Sequence, residues 1–480
     1  MKTLAIDQGT TSTRALTADE EGGITSLLSR EHRQFYPQRG WVEHDPEELI
    51  AGIRACLDAA GEVAGLGAIG IDNQGESCLA WDAETGQAIG RVIVWQDDRT
   101  RDVTERLRAD GAGPLVRERA GLPLDPYFSA SKLGWMLREI PEAARLAARG
   151  KLRLGTTDAF FLDRLAGRFE TDVTTASRTS LMNLRTCVWD EDLCRLFGVP
   201  IETLPRIVPS TGDFGSLDCG GRRVPLTASI VDQQASLYGH GCRAAGDAKI
   251  TFGTGAFALA VTGSTVPEAD GPVPTVAWQR TGEPPTYALD GGVYCASSAL
   301  NWARELGLFA DFAEIDRFDG PSAIARGLAF VPALAGLACP HWDRAARGAW
   351  LGLSLDTTPR EMVQAALEGV AFRTAEAVRA VESVQPLSAP ISIDGGMVAN
   401  GYFCQFLADV LEREILVSTE PELTATGVAA LAAEAVGAPF PLQRRGRRIA
   451  PRLIPASDAA RFTSARSLVG AFSMPEGSLS

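Results

Sequence analysis

The chain has 480 residues, 45% of them hydrophobic and 22% charged, with a formal net charge of −14. At roughly 100–200 residues per domain, this length predicts two to four domains, each able to bury its own core, in a composition typical of soluble globular proteins. The acidic balance argues against a nucleic-acid partner, because phosphate backbones are held by surplus Lys and Arg; it leaves room for a nucleotide, which a few backbone N–H groups can bind.

The chain opens on an apolar strand, Thr3-Leu4-Ala5-Ile6. No basic segment followed by an apolar run precedes it, so no signal peptide is expected. The apolar stretches are interrupted by Gly and charge well before ~18 residues, so no membrane span is expected, and the cytoplasm is the expected compartment. The strand runs through Asp7-Gln8 into Gly9-Thr10-Thr11-Ser12 and returns through Thr13-Arg14-Ala15-Leu16, a hairpin with a Gly and hydroxyl tip. Asp45-Pro46-Glu47-Glu48 predicts a helix start, with Asp as cap, Pro at the first position and acids in the first turn. Ile50, Ile53, Leu57 and Ala60 form its apolar face.

Half a chain later, Lys249-Ile250-Thr251-Phe252 runs into Gly253-Thr254-Gly255 and returns as Ala256-Phe257-Ala258-Leu259. The repeated grammar reads as an internal duplication, each copy beginning a domain. The short polar segment from Gly239 to Asp247 marks the boundary, giving domains at 1–242 and 243–480. Thr358-Pro359-Arg360-Glu361 predicts another helix start, and Met362, Ala365, Ala366, Gly369 and Val370 its buried stripe. A third strand, Ile391-Ser392-Ile393-Asp394, ends in Gly395-Gly396 and leads to Asn400. Strands alternating with helices predict an α/β fold with a largely parallel sheet in each half. Arg444-Arg445-Gly446-Arg447-Arg448 reads as a solvated turn. The nine cysteines are odd in number and form no C-x-x-C pair, so they are expected as reduced core thiols; the four histidines show no metal-ligand spacing.

The chemistry lies at the three Gly-rich turns. A Gly-Thr-Thr-Ser tip offers unobstructed backbone N–H groups and hydroxyl donors, which phosphate oxygens require. Asp7 at the strand end would repel phosphate unless magnesium or water bridged the two. Gly253-Thr254-Gly255 supplies a second cradle, and Gly395-Gly396 a surface flat enough for a nucleobase. Three such sites in this order fit a nucleotide clamped between two domains.

That order resembles the actin-like (ribonuclease H-like) ATPase superfamily. Over nearly its full length the sequence resembles the FGGY carbohydrate kinases, through the segment from Tyr127 to Glu139 and through Gly348-Ala349-Trp350-Leu351-Gly352-Leu353 with Glu361-Met362 and Ala365-Ala366-Leu367-Glu368. Within that family, Ile6–Ser12, Gly40–Pro46, Val94-Trp95-Gln96, Asp125-Pro126-Tyr127-Phe128 and Asp232-Gln233-Gln234 are most similar to glycerol kinases. The resemblance implies ATP- and magnesium-dependent phosphorylation of a small polyol, glycerol first among them, and a homodimer or homotetramer. It implies Asp232 as general base, a role suited to phosphoryl transfer. It implies Thr10, Thr11, Ser12, Arg14 and Thr254 as phosphate contacts and Asp7 as the carboxylate acting through magnesium. Gly396 and Asn400 fall in the adenine and ribose region; Ser297 and Asn301 stand near the nucleotide where glycerol kinases usually carry Gly and Gln. The polyol pocket maps to Glu76, Tyr127, Asp232 and Gln233, with Trp95 and Phe257 as apolar walls, a mixture suited to a small triol.

Two departures stand out. Glycerol kinases read Asn-Gln-Arg-Glu where this chain has Asn73-Gln74-Gly75-Glu76. Losing that Arg removes a charged hydrogen bond of about 1.5–3 kcal/mol, and Gly75 is expected to leave space, either for another group or for a longer polyol or a ketose. Gly75→Arg is then expected to improve glycerol use. The segment Asp218-Cys219-Gly220-Gly221-Arg222-Arg223 is shorter than the Gly-rich loop with which bacterial glycerol kinases bind an inhibitory sugar bisphosphate. A nucleotide-binding sensor without transfer activity is the third reading, since fold alone does not fix function; an intact Asp232 argues against it.

Overall fold

The computed structural model describes residues 1–420 and 422–472. The first hairpin pairs Lys2–Gln8 antiparallel with Ser12–Ala18, from Thr3 against Ala18 to Gln8 against Thr13. It sits in a six-stranded sheet ordered Ser216–Cys219, Arg222–Val231, Leu66–Asn73, Lys2–Gln8, Ser12–Ala18, Ile24–Glu31. The second hairpin, Ala248–Phe252 with Ala256–Gly263, sits in a seven-stranded sheet ordered Val273–Trp278, Thr286–Val293, Ala256–Gly263, Ala248–Phe252, Ile391–Gly395, Ile415–Ser418, Gly446–Ile449.

Both sheets share one plan. The first strand of each hairpin runs parallel to a later strand, Leu66–Asn73 or Ile391–Gly395, which is parallel to a third, Arg222–Val231 or Ile415–Ser418. The remaining pairings are antiparallel. The sheets are therefore mixed, not largely parallel: consecutive strands joined by tight turns must pair antiparallel, and only strands separated by a crossover can run parallel. Asp45 caps the Pro46–Ala59 helix, accepting from the Glu47 and Glu48 N–H groups at 3.0 and 3.4 Å. Thr358 and Glu361 form a capping box on Pro359–Glu382. The nine cysteines are free thiols, all but Cys187 buried.

The Arg444–Arg448 run does not form only a solvated turn. Its last residues begin the edge strand Gly446–Ile449, where Leu416 pairs with Arg448 and the Arg448 guanidinium meets Glu414 at 2.6 Å. Charged side chains on an edge strand block further strand addition, so a basic run can be both solvated and extended.

The two halves are not separate cores. The Leu423–Ala435 helix lies in the C-terminal half yet packs against Lys2–Gln8, Leu66–Asn73 and Arg222–Val231 of the first sheet. Its closest approach is to the Asp232–Gly239 helix, through glycines. A Cβ at Gly427 would stand 1.8 Å from the Ala235 carbonyl oxygen, and one at Gly239 would stand 1.9 Å from the Leu423 carbonyl oxygen. Asp232 heads the helix held in this contact. Gly427→Ala must push the helices apart, and overpacking of this kind costs about 1–3 kcal/mol. A lower urea midpoint together with a lower turnover is expected; wild-type stability in the variant would contradict the glycine contact.

The shortened segment is a two-residue hairpin turn with Gly220 at φ 61° and Gly221 at φ 87°, the mirror-image geometry that glycine favours. A Cβ on Gly220 would lie 3.0 Å from the Gly61 Cα, so the turn is packed on the chain beneath it. It leaves no length to wrap a phosphate. Fructose 1,6-bisphosphate is expected to leave the rate unchanged, and clear inhibition at millimolar effector in a coupled assay would show an anion site elsewhere.

Candidate active site

Parallel strands that end level with one another place their next residues side by side, which is where ligands sit in such sheets. Asp7 is in register with Asp72, and Asn73 with Val231. Glu76 and Asp232 follow directly. Together with the second hairpin they line a cavity of about 150 Å³. All six residues expected around a polyol meet there: Glu76, Trp95, Tyr127, Asp232, Gln233 and Phe257, joined by Thr10 and Thr254 from the two hairpin tips.

The aromatic walls form one edge-to-face set, Trp95 with Tyr127 at 5.6 Å and with Phe257 at 6.4 Å between ring centroids. Trp95 also donates from Nε1 to the Thr10 hydroxyl at 3.1 Å, so the wall is tied to the phosphate hairpin. Buried Lys132 fixes the same wall, donating to the Tyr127 and Trp95 carbonyls at 3.0 and 3.3 Å. Lys249, also buried, donates to Gln233 Oε1 at 2.7 Å and to the Thr251 hydroxyl at 2.8 Å. That bond sets the amide orientation and turns the Gln233 NH2 away from the lysine.

Burial pushes the Asp232 carboxyl up to about 7, helped by the negative charge of Glu76 and Asp7 and opposed by the Gln233 N–H and Lys249. The Gln233 N–H donates to Asp232 Oδ1 at 2.6 Å. Burial, then Glu76, also holds the Tyr127 phenol well above its usual range, so it stays a donor.

Of the first-hairpin residues only Thr10 reaches the cavity. Gly9 N donates to the Ser12 carbonyl at 3.0 Å to close the turn, and Thr11 is exposed at its tip. Arg14 is ion-paired to Asp7 and, at 2.6 Å, to Glu422. Its expected phosphate contact would have to share a guanidinium already held by two carboxylates. Asp72 is fully buried against Asp7, and neither of its oxygens has a hydrogen-bond donor. Burial and Asp7 drive its carboxyl well up. Among the described residues no group of three or more His, Cys, Asp or Glu is placed to hold a metal. One or two carboxylates facing a phosphate site are nonetheless what magnesium takes, with waters and phosphate oxygens completing its shell; Asp7 with the donor-less Asp72 behind it fits that pattern.

A second cavity, of about 560 Å³, contains all four residues expected near the adenosine: Ser297, Asn301, Gly396 and Asn400. Leu300, Ile315, Leu367 and Met397 supply apolar walls. The Ser297 hydroxyl is buried without a partner, and a Cβ at Gly396 would touch nothing within 4 Å. Gly395, at φ 97° with a would-be Cβ 2.2 Å from the Phe252 carbonyl oxygen, accepts no side chain, and so brings the third strand against the second hairpin. Asn400 builds the wall rather than offering a free amide: its Oδ1 caps the Gly401–Leu411 helix at Phe403 N, 2.7 Å away, and its Nδ2 donates to the Ile315 carbonyl at 2.8 Å. An apolar slot with an unpaired hydroxyl fits a nucleobase and ribose.

The sequence reading missed several residues of the polyol cavity, Arg178, Val231 and Asp290 among them. Gly75 does not open space. A Cβ there would meet Val231 Cγ1 at 2.9 Å, Val231 Cγ2 at 3.1 Å and Arg178 Cγ at 3.4 Å. The ground is occupied by Val231 and by the Arg178 stem, with Asp290 beyond. Arg178 lies 102 positions from Glu76, in a run of small polar residues with no motif to mark it.

Comparison with known proteins agrees with this geometry. Residues 2–239 match the N-terminal domain, and residues 248–436 the C-terminal domain, of the FGGY family of carbohydrate kinases. The chain is 42% identical over 445 residues to a glycerol kinase of Geobacter sp. (strain M21), covering 90% of each protein. It is 42% identical over 455 residues to a glycerol kinase of Haloferax volcanii, covering 90% of this chain and 89% of that one. Its fold superposes on the crystal structure of Plasmodium falciparum glycerol kinase with ADP at a TM-score of 0.88 and 30% identity, over 99% of this chain and 98% of that one. With a matched family domain on each half and a cavity lined from both, the chain is a phosphotransferase belonging to the FGGY family of carbohydrate kinases.

Proposed function

We propose that the chain transfers the terminal phosphoryl group of ATP to a primary hydroxyl of glycerol. The observation that carries this reading is the small cavity in which Asp232 stands among aromatic walls, Glu76 and Gln233, open to Thr10 and Thr254 from the two hairpin tips. Adenosine occupies the larger cavity behind Gly396, and the phosphates extend toward the hairpins. Asp232 takes the proton of the attacking hydroxyl. Glu76 accepts from a neighbouring hydroxyl, and Gln233, oriented by Lys249, donates to one. Trp95, Tyr127 and Phe257 cover the carbons and exclude water, which keeps the phosphoryl group from hydrolysis. Magnesium, when bound, would neutralise charge on the phosphate oxygens, and Asp7 is the carboxylate to hold it. The cytoplasm, where ATP is supplied, is the compartment this reading requires, and a homo-oligomer is the assembly state proposed with it.

The discriminating measurement is steady-state turnover, followed by ADP release, on glycerol, erythritol, ribitol, xylulose and ribulose. Glycerol is expected to give the highest kcat/KM, because the cavity is small and the ground beside Gly75 is filled. A longer polyol or ketose winning by a wide margin would leave the kinase class and remove glycerol. Asp232→Asn is expected to lower kcat by ~10²–10⁴-fold, the usual contribution of a general base, with ATP binding unchanged; retention of half the wild-type turnover would reject the base assignment. Since Asp232 works deprotonated and its carboxyl sits at about 7, kcat/KM should fall as pH drops below that value. A profile flat from pH 5 to 8, about two units below to one above that midpoint, would place the base elsewhere.

A further inference from the structure

We infer that Arg178 is the cation that grips the substrate's hydroxyls in this chain, standing in for the arginine that position 75 lacks. The inference rests on the polyol-kinase reading above and names a specificity determinant within that site.

Arg178 follows the short Val173–Ala176 helix, and its side chain is 5% exposed. Its Nε donates to Glu76 Oε1 at 2.6 Å, and its Nη2 lies 3.1 Å from Asp290 Oδ2. The remaining nitrogen, Nη1, is buried with no hydrogen-bond partner in the protein, while the residue lines the polyol cavity. The guanidinium carbon stands 5.7 Å from the centroid of the Tyr127 ring, the wall against which the substrate carbons would lie. A buried guanidinium N–H without an acceptor is costly to leave unmade, and a substrate hydroxyl in the cavity is an acceptor.

Gly75 and Arg178 are then one arrangement. Arg178 Cγ lies at van der Waals distance from a would-be Cβ at position 75, and Val231 closer still. Glycine at 75 makes room for Val231, and the cation beside that position comes from 178. Asp290, on the Thr286–Val293 strand of the second sheet, shares it with Glu76 of the first half, so the gripping group is oriented by both halves of the molecule. The expectation that Gly75→Arg would improve glycerol use is reversed: the new side chain meets Val231 and a resident cation.

A purely structural role, in which Arg178 only neutralises Glu76 and Asp290, predicts a different outcome in a cycle between side chain and substrate hydroxyl. Wild type and Arg178→Gln are compared on glycerol, 1,2-propanediol and 1,3-propanediol, with thermal melting recorded for each protein. The wild type should prefer glycerol over at least one diol by ~10–150-fold in kcat/KM, the value of one charge-assisted bond. Arg178→Gln should raise KM for glycerol, leave KM for ATP unchanged, and bring glycerol and that diol toward equal kcat/KM. If the glutamine variant does not fold, Arg178→Lys, which keeps the charge beside both carboxylates but loses the forked donors, should show a reduced preference. Preference undiminished in the variant that folds, or a Gly75→Arg protein that uses glycerol better than wild type, overturns the inference while leaving the kinase reading intact. A wild type inactive on all polyols overturns both.

Discussion

Buried negative charge is the constraint on which this site depends. Parallel strands ending in register bring Asp7, Asp72, Glu76 and Asp232 together on the first sheet, and Asp290 faces them from the second. Carboxylates so placed raise one another's pKa and tolerate burial only with cations at hand. The structure supplies few cations and shares them. Arg14 is held between Asp7 and Glu422, and Arg178 between Glu76 and Asp290. In both cases one acid belongs to the N-terminal half and the other to the C-terminal half. Asp125 and Arg344 repeat the pattern beside the cavity, as a two-pronged pair at 2.7 and 3.0 Å. Glu422, at the head of the Leu423–Ala435 helix, lies on the first sheet with Asp7, whereas Arg178 and Arg344 join residues of the two halves across the cavity. Charge balance thus ties the second sheet to the first through Arg178 and Arg344.

Glycines set the distances over which that balance works. Gly239 and Gly427 let two helices touch backbone to backbone beneath Asp232, and Gly395 lets the third strand press on the second hairpin. Gly75 admits the Val231 side chain just before Asp232. At each place the missing side chain allows a functional group from a distant part of the chain to come within reach, so the cost of glycine in the unfolded chain is offset by position rather than by local flexibility.

Much of this was legible in the sequence because it is local. The hairpins and the Asp45 and Thr358 caps follow from short motifs whose physics does not need the rest of the chain, and the expected residues of both cavities come from resemblance to the kinase family. What escaped was non-local. Nothing around Arg178 announces that its guanidinium lies against Glu76, and nothing in Gly75 says that Val231 fills the vacancy. The mixed character of the sheets escaped because an apolar strand carries no mark of its neighbour's direction. Reading Arg444–Arg448 by charge alone missed the edge strand, since an exposed edge accepts arginines as readily as a turn does.

Charge sharing also bears on the base role proposed for Asp232. Glu76 and Asp290 are held by Arg178, and Asp7 by Arg14. Those three have cations in contact. Asp72 has none, but it lies behind Asp7 and does not line the cavity. Asp232 alone both faces the cavity and lacks an ion pair, with only a neighbouring N–H to accept from. Burial, then the charge of Glu76 and Asp7, lifts its carboxyl to about 7, where a group at neutral pH divides its time between holding and releasing a proton. Of the acids that line the cavity, Glu76 and Asp290 are occupied by Arg178, and Asp232 is the one left without a cation, which is the geometric ground for proposing that it takes the proton.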